Sequence, residues 1–332
     1  MRRQAYIFAG LFMGVLLCML ASLHFGLRQY SPAEVWMALT SDAADSTALV
    51  IRTLRVPRML IAPLVGAALG IAGLLLQTTA RNPLASPALL GVNAGAAFAV
   101  VIAVAIFGFS AVLPLAGSAA LGALGATSLV FLLSAAAGGP ASPVNTLLAG
   151  VTLAALLNSG VQIVLITDEA TMEQLIFWLS GGFADRDMFL LSLTLPVVAI
   201  CAGLAFLISR PLDLLLADDA SAAALGVPVM QLRFGALVLA ALLTAAAVTM
   251  AGPVAFIGLV APHIARRLGG LSHQVLVPMV ALIGAMLALM ADIVARFVIY
   301  PAEAPVGAVL AFVGVPVLVG LLQSRKREDL AA

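Results

Sequence analysis

Charge is scarce in this chain. Aspartate, glutamate, lysine and arginine make up only 9% of its 332 residues, while 63% are apolar. Ordinary soluble domains are nearer a quarter charged, and a water-soluble fold could not hide so much apolar surface behind so few charges. The mean hydropathy of +1.18 points to lipid as the main solvent. A formal net charge of +1 gives no electrostatic basis for binding nucleic acid. Cysteine is rare too. Cys18 and Cys201 lie far apart inside apolar runs, which excludes a disulfide framework or metal-ligand spacing and leaves two small hydrophobes. His24, His263 and His273 are scattered, so neither a metal nor a cofactor site is expected. No GxxxxGK[ST] phosphate loop, HExxH or GxSxG occurs, so this chain is expected to be no ATPase or hydrolase. Acidic residues are almost missing from the middle of the apolar runs, where an ion-coupled carrier keeps its coupling site. Asp292 comes nearest, but Arg296 stands one turn away, the spacing of an i,i+4 ion pair.

What fills the chain instead is apolar runs of membrane-spanning length, about 20 residues each. They cover Tyr6–Leu27, Met59–Thr79, Gly91–Phe107, Leu113–Ala137, Thr146–Thr167, Phe189–Ser209, Gln231–Ala251, Val275–Tyr300 and Pro305–Gln323. A shorter run, Val254–Leu268, follows the break at Ala251-Gly252-Pro253 and would make the total ten. The first run is longer than a signal-peptide core and lacks a small-x-small site, so it reads as a retained span. Pro63, Gly66, Gly70 and Gly73 lie within the second run, where small residues favour close helix packing.

Charge placement supports ten spans with both termini in the cytoplasm. On that scheme Arg2, Arg3, Arg81, Arg210, Arg233, Arg266, Arg267, Arg325, Lys326 and Arg327 face inward, against Arg28, Arg52, Arg55, Arg58, Arg186 and Arg296 outside. This is the sign the positive-inside rule requires, and nine spans would put the basic tail outside. Two loops are long and patterned. The outer stretch Asp168–Asp187 carries MEQLIFWLSGGF with Trp178, an amphipathic segment suited to the interface. The inner segment 210–233 reads as two short helices, with Asp213 or Asp218 as a cap and Gly226 with Pro228 as the stop. Short cytoplasmic helices of this kind can form a docking surface, although an ordinary structured loop has the same composition.

Several motifs are more specific: RVPR at Arg55–Arg58, GAALGIAGLLLQTTARNPLASPALLGVNAGAA at Gly66–Ala97, GPVAFIGLVAPHIAR at Gly252–Arg266, ADIVAR at Ala291–Arg296, and PVGAVLAFVGVP at Pro305–Pro316. Together, in this order and from about Arg55 to Leu322, they resemble the FecCD-type permease subunits of bacterial importers for iron–siderophore complexes, haem and vitamin B12. They look closest to ferric citrate or ferric siderophore permeases. The resemblance implies an all-α polytopic membrane protein, the type II ABC importer permease with ten transmembrane helices, spanning 1–332 as a single domain in the bacterial inner membrane. It also implies a second permease subunit, identical or paralogous, two ATP-binding cassette subunits that hydrolyse ATP, and a periplasmic substrate-binding protein. The cargo would be a ferric chelate moved by alternating access. Haem or cobalamin is the alternative cargo, and an ion-coupled secondary transporter the alternative of another class.

Site residues follow from the same motifs. Arg55, Arg58 and Arg296 match arginines that meet acidic residues of the binding protein, a task suited to a planar, permanently charged fork. Snorkelling to lipid headgroups is their other reading. Asn82, Pro83 and Leu84, with Pro143 and Val144, match two loops that narrow the pathway at its cytoplasmic end, although Asn-Pro is also an ordinary turn signal. The segment 210–233 matches the coupling helices that sit on the ATPase, with Asp213, Ala223, Leu225 and Gly226 as contact positions.

Overall fold

The computed structural model describes residues 2–41, 45–137, 143–184, 186–216, 219–269, 272–299, 302–312, 314 and 316. Among them the chain is helical. Seven helices are long and apolar enough to cross a membrane. An apolar helix too short to be counted with them, Val92–Ala105, and a 12-residue helix, Ile257–Leu268, stand beside them. A further helical stretch at 306–312 starts the expected last span, whose end, with the basic tail Arg325-Lys326-Arg327, lies outside the described residues. The described part therefore reaches an all-helical membrane fold but not the count of ten.

Element order is α1 (Arg2–His24), α2 (Pro32–Thr40), α3 (Ser46–Val50), a π turn (Ile51–Arg55), α4 (Val56–Thr79), a 3₁₀ turn (Pro87–Leu90), α5 (Val92–Ala105), α6 (Val112–Ala136) and α7 (Pro143–Thr167). It continues with α8 (Glu169–Leu179), α9 (Met188–Leu207), α10 (Ser209–Leu215), α11 (Asp219–Ala224), α12 (Val229–Ala251), α13 (Ile257–Leu268) and α14 (His273–Val298). Proline explains the π turn: Pro57 has no N–H to return to the preceding turn, and the Val56 N–H reaches back to the Ile51 carbonyl instead. Thus α3, the π turn and α4 run on as one 34-residue helix.

Helix α4 is the axis of the fold. It is buried on nearly all sides by α12, α13 and α14, whereas α1 and α7 remain mostly exposed. Lipid tails are as apolar as leucine, so close van der Waals packing has to hold such helices together. Gly66, Gly70 and Gly73 provide it on one face of α4. A Cβ on Gly70 would stand 2.6 Å from the Val280 carbonyl of α14, and one on Gly66 or Gly73 would collide with the backbone of Gly284 or Gly258. These glycines are packing residues, as the sequence indicated.

One break in the helical pattern lies deep in the protein. Gly252 ends α12 at φ +70°, and Phe256 opens α13 at φ +68°. This non-helical stretch lies against the turn after α8, where the Gly182 N–H donates to the Ala251 carbonyl at 2.8 Å. Side chains on Gly181 and Gly252 would strike the opposite backbone. Irregular backbone inside a membrane protein needs such internal partners. The run Val254–Leu268 therefore exists as a separate helix, but at 12 residues α13 spans about 18 Å, less than the hydrocarbon core.

Candidate functional site

Three regions hold most of the buried polar chemistry. The first joins α1, α4 and α14 at one end of the bundle. The last turn of α1 leaves carbonyls without helical donors, and arginines supply them. Arg296 donates to the Ser22 and Phe25 carbonyls, each at 2.7 Å, and to the Ser22 hydroxyl at 2.7 Å. Arg55 donates to the Leu23 carbonyl at 2.6 Å and to that of Arg28, with its guanidinium 4.4 Å from the Tyr30 ring centre. Cations at a helix C-terminus also complement its dipole. Asp292, fully buried, sits between two guanidinium groups: it accepts from Arg58 at 2.7 Å and pairs with Arg296 one turn along α14. Arg58 also pairs with Glu303 at 2.8 Å.

The sequence expectation set Arg55, Arg58 and Arg296 on a face open to a partner. The structure brings all three together but leaves them only 6%, 7% and 2% exposed, with their terminal guanidinium nitrogens engaged inside the chain and the Arg296 Nε buried without a partner. Arg58 borders an open recess of about 520 Å³ that it shares with Glu303, Trp178 and Pro305. The i,i+4 pair of Asp292 and Arg296 is present as read from the sequence.

The second region is a cavity of about 800 Å³ between α5, α7 and α8, closed at one point by Pro253. Its polar groups are mostly neutral: Asn93, Asn158, Gln162 and Ser180. Glu169 is the single ionisable side chain among the described lining residues. The Asn93 amide nitrogen donates to the Val254 carbonyl at 3.5 Å, while its oxygen is buried without a partner. Sequence reasoning missed this cavity, because nearly every face of these helices is apolar.

The third region is at the opposite end of α4. Ser209–Leu215 and Asp219–Ala224 form the two short helices α10 and α11, and Gly226 at φ +82° with Pro228 separates α11 from α12. Ala223, Leu225 and Gly226 are exposed, Leu225 by 69%. Asp213 faces the other way. It caps no short helix, since it lies inside α10, and its carboxylate instead accepts from the His273 N–H at 2.8 Å and from the Ser272 hydroxyl at 3.0 Å, at the start of α14. His273 Nδ1 lies 2.5 Å from Asp213, and its Nε2 lies 2.7 Å from the Thr78 hydroxyl of α4. Asp218, the other expected cap, lies outside the described residues. Asp219 accepts from Arg81 at 2.6 Å and from Arg233 at 3.0 and 3.2 Å. Partial burial pushes the Asp219 carboxyl up, but the hydrogen bond and charge of Arg233, then the charge of Arg81, outweigh it and hold the group below the ordinary carboxylate value.

Asn82, Pro83 and Leu84 lie beside this cluster. The Leu84 N–H donates to the Asn82 side-chain oxygen at 2.9 Å and the Ala85 N–H to its carbonyl at 3.0 Å, so the stretch is a tight turn. Pro143 opens α7, with Val144 the next residue of that helix; their side chains lie outside the described residues. The roles of Asp219, Arg81, Arg233 and His273 left no local signal, because their partners are remote in sequence.

The FecCD transport family pattern matches residues 14–324. This chain belongs to the FecCD transport family. It is the permease subunit of an ABC importer, a multi-pass membrane protein, and not itself the ATPase. Among its relatives is the ferric enterobactin transport system permease protein FepD of Escherichia coli (strain K12), 38% identical over 96% of this chain and 95% of the relative. The Fe(3+) dicitrate transport system permease protein FecD of the same organism is 38% identical over 92% and 94%. A solved structure of an inward-facing metal-chelate type ABC transporter superimposes with a TM-score of 0.83 at 32% identity, covering 96% of this chain and 99% of that one.

Proposed function

We propose that this permease carries a ferric chelate, a ferric siderophore or ferric citrate, from the periplasm to the cytoplasm by alternating access. The cavity of about 800 Å³ supports this reading. It is large enough for a chelate of several hundred daltons. Its amides offer neutral hydrogen bonds, and Glu169 is the one ionisable group among its described lining residues, so the cargo meets mostly weak contacts, as passage requires. Similarity to permeases of ferric enterobactin and ferric dicitrate systems points to the same cargo class.

On this reading the Arg58 end faces the periplasm and the Arg81 end the cytoplasm, with both termini inside. Exposed apolar faces on α7, including Leu156, Ile163 and Ile166, then suit a second permease subunit across the pathway. The segment 210–233 is the coupling segment, with Ala223, Leu225 and Gly226 directed at two ATPase subunits, and Asp213 holding the segment to α14. The turn Asn82–Leu84, with Pro143 and Val144, gates the cytoplasmic end. Docking of the periplasmic binding protein centres on the recess beside Arg58. An incoming carboxylate would replace Glu303 there, while Arg55 and Arg296 keep α1 and α14 in place. Asp292 is buried with Arg58 and Arg296 against its two oxygens, so this carboxylate is taken up by internal ion pairs rather than lining a path for a coupling ion, which argues against the ion-coupled alternative.

Uptake of radioactive iron, supplied as ferric citrate and as several ferric siderophores, to cells with the gene deleted and restored tests the proposal. A selective loss for one ferric chelate with cobalamin uptake intact is expected. Loss of haem or cobalamin uptake alone would reassign the cargo. Undiminished uptake of every ligand would refute the importer reading.

A further inference from the structure

The end of α4 contains an arginine where the backbone asks for glycine. The Asn82 N–H donates to the Gln77 carbonyl at 3.2 Å and the Arg81 N–H to that of Thr78 at 3.2 Å. This pair of bonds closes a helix with a Schellman motif, whose turning residue lies in the left-handed region and is usually glycine. Here that residue is Arg81, at φ +48°. A side chain at this position is strained by its own backbone, so the structure keeps an unfavourable residue where a better one is available. The side chain has work elsewhere. Its Nε donates to the Leu215 carbonyl at the end of α10 at 2.8 Å, and its Nη2 pairs with Asp219 of α11 at 2.6 Å. Asp219 in turn holds Arg233 in the first turns of α12.

Resting on the assignment of 210–233 as the coupling segment, we propose that Arg81 and Asp219 are positioning residues that join this segment to the gate turn Asn82–Leu84. When the ATPase displaces α11, Asp219 carries Arg81 with it. Arg81 is the residue that sets the direction of the chain entering Asn82, so the gate turn moves with the coupling helix. Arg233 gives Asp219 a second anchor on α12, so that three elements move as one body. An isolated exposed ion pair would be too weak for this. This pair is reinforced by a carbonyl contact and a second guanidinium, and Arg233 is 7% exposed.

Substitution by glycine separates a mechanical role from a structural one. Arg81→Gly relieves the strained backbone while cutting both ties, so the variant should unfold at the same temperature as the parent or higher. The complex of this chain with its partner permease, ATPases and binding protein is reconstituted in liposomes. Uptake of radioactive ferric citrate and of a ferric trihydroxamate is measured together with ATP hydrolysis. For Arg81→Gly and Asp219→Asn, hydrolysis should persist while iron imported per ATP falls about fivefold or more, the lower end of ordinary coupling between sites. Asp219→Glu, which keeps the charge, should recover part of the loss. Parental import per ATP in a folded Arg81→Gly complex would overturn the proposal. So would an equal fall in hydrolysis and uptake, which would place the defect in assembly. Absence of ATP-dependent uptake of either chelate by the unmodified complex would remove the importer reading, and the linkage with it.

Discussion

Gly70→Ala gives a direct test of what holds the bundle together. The new Cβ would lie 2.6 Å from the Val280 carbonyl of α14, 3.3 Å from its carbon and 3.6 Å from the Ala261 methyl of α13. Ordinary contact begins near 3.4 Å, so α4 and α14 must part by about 0.8 Å, which already forfeits a quarter to a half of each dispersion contact along the seam. Overpacking of this kind costs about 1–3 kcal/mol, and the obstacle here is backbone, which cannot rotate away. Alanine recovers at most about 1 kcal/mol of helix propensity. The net loss should be about 1–2 kcal/mol. Gly203→Ala on α9 is the control, since a Cβ there meets nothing within 4 Å. Unfolding of both variants is followed in detergent by tryptophan fluorescence across a titration with a denaturing surfactant. Gly70→Ala should unfold earlier than the parent, and Gly203→Ala at the parental midpoint or later. Indistinguishable midpoints for the two variants would refute the view that close backbone approach stabilises α4.

Other outcomes follow from the same geometry. Asp292→Asn leaves two buried guanidinium groups without their shared carboxylate, a loss of about 3–5 kcal/mol, so the purified protein should melt well below the parent; a parental melting curve would contradict the pairing. Leu225→Arg places a charge on an exposed apolar contact and should abolish co-purification with the ATPase while leaving the fold intact. Glu303→Gln weakens the inner hold on Arg58 and should change binding-protein affinity with little effect on melting, whereas Arg58→Gln should affect both. Hydrogen bonds from the Ser31 N–H and then its hydroxyl hold Glu34 below the ordinary carboxylate value. A lowered folded pKa stabilises above the unfolded value, about 4.3, and that contribution is lost as pH falls through the folded one. Amide exchange in α2 should therefore accelerate in acid relative to the intrinsic rate, and Glu34→Gln should remove the dependence.

Much of the scaffold was legible because lipid simplifies the code. Long apolar runs mark helices. Gly66, Gly70 and Gly73 recur at helical spacing, so a packing face could be read directly, and Asp292 with Arg296 is a local pair. Burial of the arginines was not legible. A cation at a helix end looks the same in sequence whether it reaches water or the open carbonyls of α1, and the partner of Arg58 lies 234 residues away. Asp213 misled for a related reason. Its place beside a short helix suggested a cap for that helix, but the free N–H groups it satisfies begin α14. The cavity between α5 and α7 was hidden because alternation of polar and apolar faces is too weak in these helices to reveal a lining.

The distance in sequence between Arg58 and Asp292 has a consequence for synthesis. At about 5–20 residues per second, the 234 residues that separate them take roughly 10–50 s to emerge. During that time α4 is in or near the membrane with a guanidinium that lacks its carboxylate. Until α14 arrives, α4 lacks both the carboxylate that Arg58 pairs with and one of the helices that bury it. A ribosome that stalls before Asp292 would leave a membrane segment with an unpaired charge, the kind of defect that quality-control proteases remove. Completion of the chain, rather than insertion of any one helix, is then the event that commits this protein to its fold.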